Sequence, residues 1–279
     1  DCEYRQIEAG RLEAKTAFQQ VGRSSLICES SNRRIEFAAK APDAAATVLV
    51  PLPGTRGRFN GQQVSDDRII VVAPNVDLHA VTCGGGEVWS IHLPTDLLDE
   101  SLDIDRLGTR VTEARPAYLA EFRTATKLAL ADDRQMVLNH HETHFADLVQ
   151  TLLSSDAPAT RSESDNCPYK RKALVRAMEF IEAQLAMPLR IGQVSSYANV
   201  SRITLERLFR LEFQHTPSSY IRARRLDAVR RELTGGLDIS KTIADVAITH
   251  GFTHMGRFSS MYCRQFGRLP SEDTRRLQN

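Results

Sequence analysis

Residues 192–213 read GQVSSYANVSRITLERLFRLEF, and this stretch decides the fold. A short helix is predicted over 192–198, followed by a turn at Asn199-Val200. Ser201 is a residue type that accepts hydrogen bonds from the first turn of a helix, so it predicts the N-cap of a second helix over 202–213. The buried face of this second helix is predicted to consist of Leu205, Leu208 and Phe209.

The opposite face of the second helix is mostly polar and basic. Its residues are Arg202, Ile203, Glu206, Arg207 and Arg210. A short helix, a turn of three or four residues and a second helix with polar residues at its start is the helix-turn-helix layout, in which the second helix enters the DNA major groove. The stretch therefore predicts a DNA-reading unit.

The same pattern returns near the end of the chain. A helix is predicted over 240–249, a turn at His250-Gly251-Phe252, and a second reading helix over 254–265. Between the two units, 217–233 is predicted as a helix, since Pro217 suits a first turn and glycines follow its end. Its exposed side is expected to be basic, with Arg222, Arg224, Arg225, Arg230 and Arg231. Two units on a fixed helical spacer can address neighbouring major-groove segments about one DNA turn apart.

Charge separates this basic end of the chain from the rest. Residues 1–167 carry 17 Lys and Arg against 25 Asp and Glu, a net charge of −8. Residues 168–279 carry 19 against 10, a net charge of +9. The Ser-, Asp- and Pro-rich stretch 154–168 between the two parts predicts a linker. A basic module joined to an acidic one is typical of a nucleic-acid-binding module fused to a sensing module.

The acidic part predicts short antiparallel strands over 20–95. The β-branched runs 47–52, 68–73 and 88–93 are bounded by turn residues. Asn60-Gly61 is the preferred dipeptide of a type I′ hairpin turn. Strands at this spacing favour a small barrel or sandwich, and two helices, from Pro116 and over about 134–153, are expected to follow.

The spacing of the cysteines and histidines does not predict a metal site or a catalytic site. The five cysteines are far apart and odd in number, so they predict reduced thiols. His140 and His144 share a helix face, but the run His-Glu-Thr-His is one residue too short for the zinc-protease pattern, and no metal site is predicted. No apolar run could span a membrane and no secretory signal is visible, so a cytoplasmic protein is expected. Because no cysteine or histidine cluster suits a metal site, a protein without a cofactor or enzymatic activity is also expected.

Specific positions in the C-terminal part resemble the AraC/XylS family of bacterial transcription regulators. The matching positions, over about 170–277, are Ser201, Leu205, Arg207-Leu208-Phe209, Pro217, Tyr220-Ile221, Arg225-Leu226, Ala228, Ile243-Ala244, Ala247, Gly251-Phe252, Phe258-Ser259, Phe266-Gly267 and Pro270. The resemblance implies an α+β chain with three parts. They are a cupin-like β-barrel with helices at 1–153 for sensing or dimerisation, the linker at 154–168, and an all-α DNA-binding domain of seven helices at 169–279.

The resemblance also implies which residues contact promoter DNA. The family's base-reading positions fall on Ile203, Glu206 and Arg207 in the first unit and on Gly256, Arg257 and Ser260 in the second, and Arg202 and Arg210 lie beside the first set. Arg207 suits a bidentate contact to guanine, Glu206 can accept from a cytosine amino group, and Arg257 can contact a base or a phosphate.

Several positions depart from the family pattern. Gln214 stands where a glycine is usual and Asp273 where an aromatic is common, while Gly256 and Ser260 replace larger polar residues. The end of the first reading helix is therefore expected to turn less sharply, and the second unit is expected to contribute less to base specificity.

The resemblance implies RNA polymerase as a further partner. It leaves open whether a small-molecule effector or homodimerisation controls DNA binding. A non-specific architectural DNA-binding protein is the alternative class. That class differs in predicting strong salt dependence without sequence preference.

Overall fold

The computed structural model falls into two compact units. The described residues are 2–82, 84–99, 102, 104, 108–131, 135–154, 168–235 and 241–275. Among these residues, the strand unit comprises 2–4, 14–32 and those within 37–154, and the helical unit comprises 5–13, 33–36 and those within 168–275. Most of the predicted linker, 155–167, lies outside the described residues, so the domain limits 1–153 and 169–279 stay predictions.

Eleven β-strands occur in the described part of the chain. They are β1 (Cys2–Gln6), β2 (Ala14–Val21), β3 (Ser24–Ser31), β4 (Ile35–Lys40), β5 (Ala45–Pro51), β6 (Arg56–Phe59), β7 (Gln62–Ser65), β8 (Arg68–Val72), β9 (Asp77–Thr82), β10 (Gly86–Pro94) and β11 (Thr109–Glu113). Two helices, α1 (Pro116–Ala131) and α2 (Gln135–Ser154), follow them. The three β-branched runs of the sequence lie in β5, β8 and β10, as predicted.

The strands form two sheets, ordered β1-β4-β9-β6-β7 and β11-β8-β5-β10-β3-β2. Both faces of the six-stranded sheet are covered. One face packs against the five-stranded sheet through residues such as Leu49, Phe59 and Ile70. The other packs against α1 and α2, where Val48 and Trp89 meet Phe122 and Phe145. This two-sided burial explains why β5 is an almost unbroken apolar run.

The prediction of a β-barrel is wrong as regards closure, because the described strands form two open sheets. In the strands that the structure describes, β11 and β2 end the larger sheet and β1 and β7 end the smaller one. The layered sandwich buries apolar side chains between two sheets and under two helices, so closure of a barrel is not needed to form a core. The mixed architecture of N-terminal sheets and C-terminal helices agrees with the prediction.

The predicted hairpin turn at Asn60-Gly61 is confirmed. Phe59 pairs with Gln62, and Asn60 and Gly61 adopt φ of 46° and 79°, the left-handed values that this turn requires. The Asn60 amide also donates to the carbonyl of Asp77 at 3.0 Å and to the hydroxyl of Thr109 at 2.9 Å. The turn therefore joins three segments of the strand unit.

Glu142, within the run His-Glu-Thr-His, attaches α2 to the turn between β2 and β3. Its Oε1 accepts hydrogen bonds from the backbone N–H groups of Arg23 and Ser24, both at 2.7 Å, and from the Ser24 hydroxyl at 2.8 Å. The neighbouring His144 lies 3.7 Å from the carboxylate of Glu121. Over the described residues, His, Cys, Asp and Glu form no cluster of three that could hold a metal. Within this run, Glu142 therefore has a packing role.

The helical unit contains seven α-helices in its described residues. They are α3 (Pro168–Ala183), α4 (Ile191–Tyr197), α5 (Arg202–Phe213), α6 (Pro217–Thr234), α7 (Ile243–Thr249), α8 (Met255–Phe266) and α9 (Pro270–Arg275). With α1 and α2, the described part of the chain therefore has nine. No helix among these residues is long and apolar enough to cross a membrane.

Helix α6 is the centre of the helical unit. The prediction that Arg224 lies on its exposed side is wrong, because this residue is only 1% exposed. Its Nε and Nη2 donate to the two carboxylate oxygens of Glu182 on α3, at 2.7 and 2.6 Å. Burial alone would lower the pKa of Arg224, but its hydrogen bonds to Glu182 raise that pKa above its usual value. A buried cation needs such a partner, which fixes α6 against α3.

We expect Glu142→Ala to lower the free energy of unfolding of the strand unit by about 2–3 kcal/mol, because the amides of Arg23 and Ser24 lose a charged acceptor. Trp89, the one tryptophan of the sequence, is buried in this unit, so urea unfolding followed by its fluorescence reports the change.

Glu121→Ala is the matched control on α1, since its carboxylate is 55% exposed. It should change stability by less than about 0.5 kcal/mol. Equal effects of the two substitutions would show that Glu142 does not anchor α2.

Candidate nucleic-acid interface

The first helix-turn-helix unit consists of α4, a tight turn and α5. Asn199 adopts a left-handed conformation with φ of 56°, and the N–H of Val200 donates to the carbonyl of Ser195 at 3.0 Å. Ser201 is the N-cap of α5, as predicted, and its hydroxyl accepts from the N–H of Thr204 at 3.1 Å. The turn thereby brings the chain into α5 at a fixed angle.

The second unit, formed by α7 and α8, repeats this geometry. Gly251 has φ of 82°, and the N–H of Phe252 donates to the carbonyl of Ala247 at 2.9 Å. Thr242 and Asp245 form a capping box at the start of α7, and the hydrogen bond from the Thr242 hydroxyl holds the pKa of Asp245 below its usual value. The turn bonds span the same number of residues in both units, so the two turns are equivalent, although α8 begins one residue later after its turn than α5 does.

Each reading helix buries an apolar face against one half of α6. Phe209 and Phe213 of α5 pack on Tyr220, with ring centroids 5.3 and 4.3 Å from the tyrosine ring. Phe258, Tyr262 and Phe266 of α8 form a core with residues of the C-terminal half of α6, among them Leu226, Val229 and Leu233. Aromatic residues on both reading helices therefore fix the faces that remain outside.

The predicted contact residues of the first unit all lie on the exposed face of α5. They are Arg202, Ile203, Glu206, Arg207 and Arg210. Ile203 is 82% exposed, which is unusual for a large apolar side chain and leaves it available for an apolar contact. Glu206 and Arg210 form an exposed ion pair at 2.9 Å. Such exposed pairs contribute little to stability, so both groups can exchange partners at small cost.

Arg202 differs from its neighbours, because its guanidinium lies over α4. A Cβ added at Gly192 would stand 2.6 Å from the Arg202 Nη2. The absence of a side chain at Gly192 thus leaves room for Arg202 to fold back across the unit.

The predicted contact residues of the second unit are also exposed. Gly256, Arg257 and Ser260 lie in the first half of α8. The Ser260 hydroxyl donates to the carbonyl of Gly256 at 3.0 Å, one turn earlier in the same helix. Arg257 is therefore the long polar side chain of this set, between two small residues.

Two departures from the family pattern are resolved by the structure. Gln214 adopts φ of 55°, and its N–H donates to the carbonyl of Arg210, so α5 ends as sharply as α8 does at Gly267. The expectation of a less sharp end is wrong, because Gln214 adopts the left-handed conformation that glycine usually takes at this position. Asp273 is buried, where it accepts from the Tyr262 hydroxyl at 2.7 Å and pairs with Arg268.

Sequence reasoning missed two arginines of α6 that bind other segments of the helical unit. The sequence pattern places Arg224 and Arg225 among exposed basic residues, yet the first is buried and the second half-buried. The signal available in the sequence was their helical phase, since Arg224 lies one turn after the buried Tyr220 and Ile221.

The helical unit is similar to known DNA-binding proteins. A family model described as a helix-turn-helix domain matches residues 194–276. The XylDLEGF operon transcriptional activator 2 of Pseudomonas putida is 31% identical over 138 residues, 49% of this chain and 84% of that protein. A second XylDLEGF operon transcriptional activator from Pseudomonas putida is 34% identical over 142 residues, but only 43% of that protein is covered, with 51% of this chain. The chain spans less than half the length of several relatives that it matches.

Among solved structures, a transcriptional regulator with an AraC-type DNA-binding domain from Chromobacterium violaceum is 31% identical. The match covers 39% of this chain and 96% of that one, with a TM-score of 0.36. The helix-turn-helix units, the family model and the 31% identical operon activator define a helix-turn-helix DNA-binding protein of the transcription-regulator class. The chain belongs to the AraC/XylS family, in agreement with the resemblance of the sequence.

We expect Gly267→Ala to destabilise the helical unit by about 1–2 kcal/mol, because its φ of 69° places a Cβ in a disfavoured conformation. Thermal unfolding followed by far-UV circular dichroism measures the effect. Gly256→Ala in the same helix is the control, since an added Cβ there meets nothing within 4 Å. It should be neutral or stabilise by up to about 1 kcal/mol, and a loss as large as that at Gly267 would contradict this account of the helix end.

Proposed function

We propose that this protein is a sequence-specific transcription regulator that reads two adjacent major-groove segments of a promoter with α5 and α8. The observation that carries the proposal is the pair of helix-turn-helix units with equivalent turns, both packed on α6. An architectural binder needs basic charge alone. A fixed pair of reading helices with defined polar faces is better suited to base contacts, which need side chains in set places.

Within this proposal, Arg207 reads a guanine through its guanidinium fork, and Glu206 accepts from a cytosine amino group. Arg207 is exposed, and within the described residues no hydrogen bond or ion pair engages it. Glu206 exchanges Arg210 for the base, which frees Arg210 for a phosphate. Arg202 and Ile203 complete this surface, with Ile203 against a thymine methyl group or a sugar.

The second unit contributes less to base specificity in this proposal. Gly256 is too small to reach a base edge, and the Ser260 hydroxyl is engaged by the backbone of its own helix. Arg257 contacts a base or a phosphate. Specificity therefore comes mainly from the first unit, and affinity from both.

We further propose that the strand unit controls DNA binding, through a small-molecule effector or through homodimerisation, and that the bound protein acts on RNA polymerase. The family membership and the operon activators among its relatives support this role. The acidic strand-rich part is also unlike the basic part in charge, which suits a separate regulatory module.

The test is selection of binding sites from random duplex DNA by the purified chain, at one fixed salt concentration. We expect a defined motif in two parts. Arg207→Ala should relax one or two positions of the first part, with a loss of about 1–3 kcal/mol of discrimination. If no motif emerges and affinity only falls steeply with salt, the protein is an architectural binder. The symmetry of the motif also distinguishes one copy from a dimer.

Arg257→Ala is compared with Arg207→Ala on the selected site and on single-base variants of it. We expect Arg257→Ala to weaken binding to all of them by a similar factor and to reduce the slope of log affinity against log salt by about 1, as a phosphate contact does. A loss of discrimination as large as that of Arg207→Ala would show that both units read bases equally.

A further inference from the structure

Arg225 of α6 is engaged by the loop that precedes the first helix-turn-helix unit. Its Nε donates to the carbonyl of Leu185 at 2.7 Å, and its Nη2 donates to the carbonyl of Met187 at 2.5 Å. The planar guanidinium fork thereby spans two carbonyls of one loop. This loop ends α3 and leads within a few residues into α4, which begins at Ile191.

The turn of the second unit lies against the same arginine. A Cβ added at Gly251 would be 3.1 Å from the Cζ and Nη1 of Arg225 and 3.4 Å from the carbonyl oxygen of Ala186. Gly251 also has φ of 82°, so this close approach and the backbone conformation both favour glycine. The turn of the second unit therefore contacts both Arg225 and the loop 185–187.

Arg225 is thus the point where three segments meet: the loop before α4, helix α6 and the turn between α7 and α8. We propose that Arg225 is a positioning residue that sets the separation and relative orientation of the two reading helices. In this role it acts through the protein and not through DNA, since its Nε and Nη2 both donate to backbone carbonyls of the loop. This inference rests on the proposed function. It adds the residue that makes DNA binding depend on the spacing between the two parts of the site.

The consequence concerns the spacing between the two parts of the binding site. Each inserted base pair moves the second part along the axis and rotates it by about a tenth of a turn, since B-DNA repeats every 10–10.5 bp. A rigid pair of reading helices tolerates one spacing. A pair whose second unit can rock about α6 accepts several.

The experiment uses the full chain and the selected site, with base pairs added or removed between its two parts. We expect the wild-type protein to prefer one spacing over its neighbours by at least about tenfold in Kd, which corresponds to about 1.4 kcal/mol. Arg225→Ala should reduce this preference to less than about threefold and leave affinity for a duplex with only the first part unchanged within about twofold. Arg225→Lys should give an intermediate preference, because one ammonium cannot reproduce the fork.

Arg222→Ala is the matched control, an exposed arginine on the same helix. It should keep the wild-type spacing preference even if overall affinity falls. If Arg225→Ala does not fold, as judged by circular dichroism, Arg225→Lys decides the question alone.

The outcomes separate the two proposals. Absence of any motif for the wild-type protein overturns the proposed function. A motif that the wild-type protein binds equally at several spacings, or a preference that the folded Arg225 variants retain, overturns the positioning role of Arg225 alone.

Discussion

A guanidinium with almost no solvent exposure, that of Arg224, must be paired, and Glu182 of α3 provides both of its carboxylate oxygens. An unpaired cation at this place would be strongly destabilising, so α3 and α6 can pack in only one register. The rest of the helical unit follows from the position of α6. Its N-terminal half receives the aromatic residues of α5, and its C-terminal half receives those of α8.

The two helix-turn-helix units have equivalent turns and equivalent helix ends, and they differ in side chains. Their turns have equivalent left-handed residues, Asn199 and Gly251, and their reading helices end at left-handed residues, Gln214 and Gly267. Asparagine and glycine adopt this conformation readily, whereas glutamine does so at a cost. The exposed faces differ more, since α5 presents Ile203 and Arg207 at the helix positions where α8 presents Gly256 and Ser260. Because the turns are equivalent and the exposed side chains of α5 and α8 differ, base specificity is assigned mainly to the first unit.

In the strand unit, local patterns predicted elements better than their assembly. The β-branched runs became β5, β8 and β10, and Asn60-Gly61 formed its hairpin. Closure of a barrel was expected and is absent from the described strands, because closure depends on whether edge strands meet, and alternation along one strand carries no information on that. The local pattern around Glu142 indicates only its neighbouring histidines, whereas the carboxylate binds the distant turn at Ser24.

The sequence by itself determined the helix-turn-helix units, the N-cap at Ser201 and the outward face of α5. These depend on local periodicity and on hydrogen bonds between residues close in the chain. Tertiary structure alone decided that Arg224 is buried, that Arg225 binds the carbonyls of Leu185 and Met187, and that the sheets stay open. An arginine in a helix has the same local pattern whether it faces solvent or another helix. Its role depends on partners about forty residues away, which only the folded chain brings into contact.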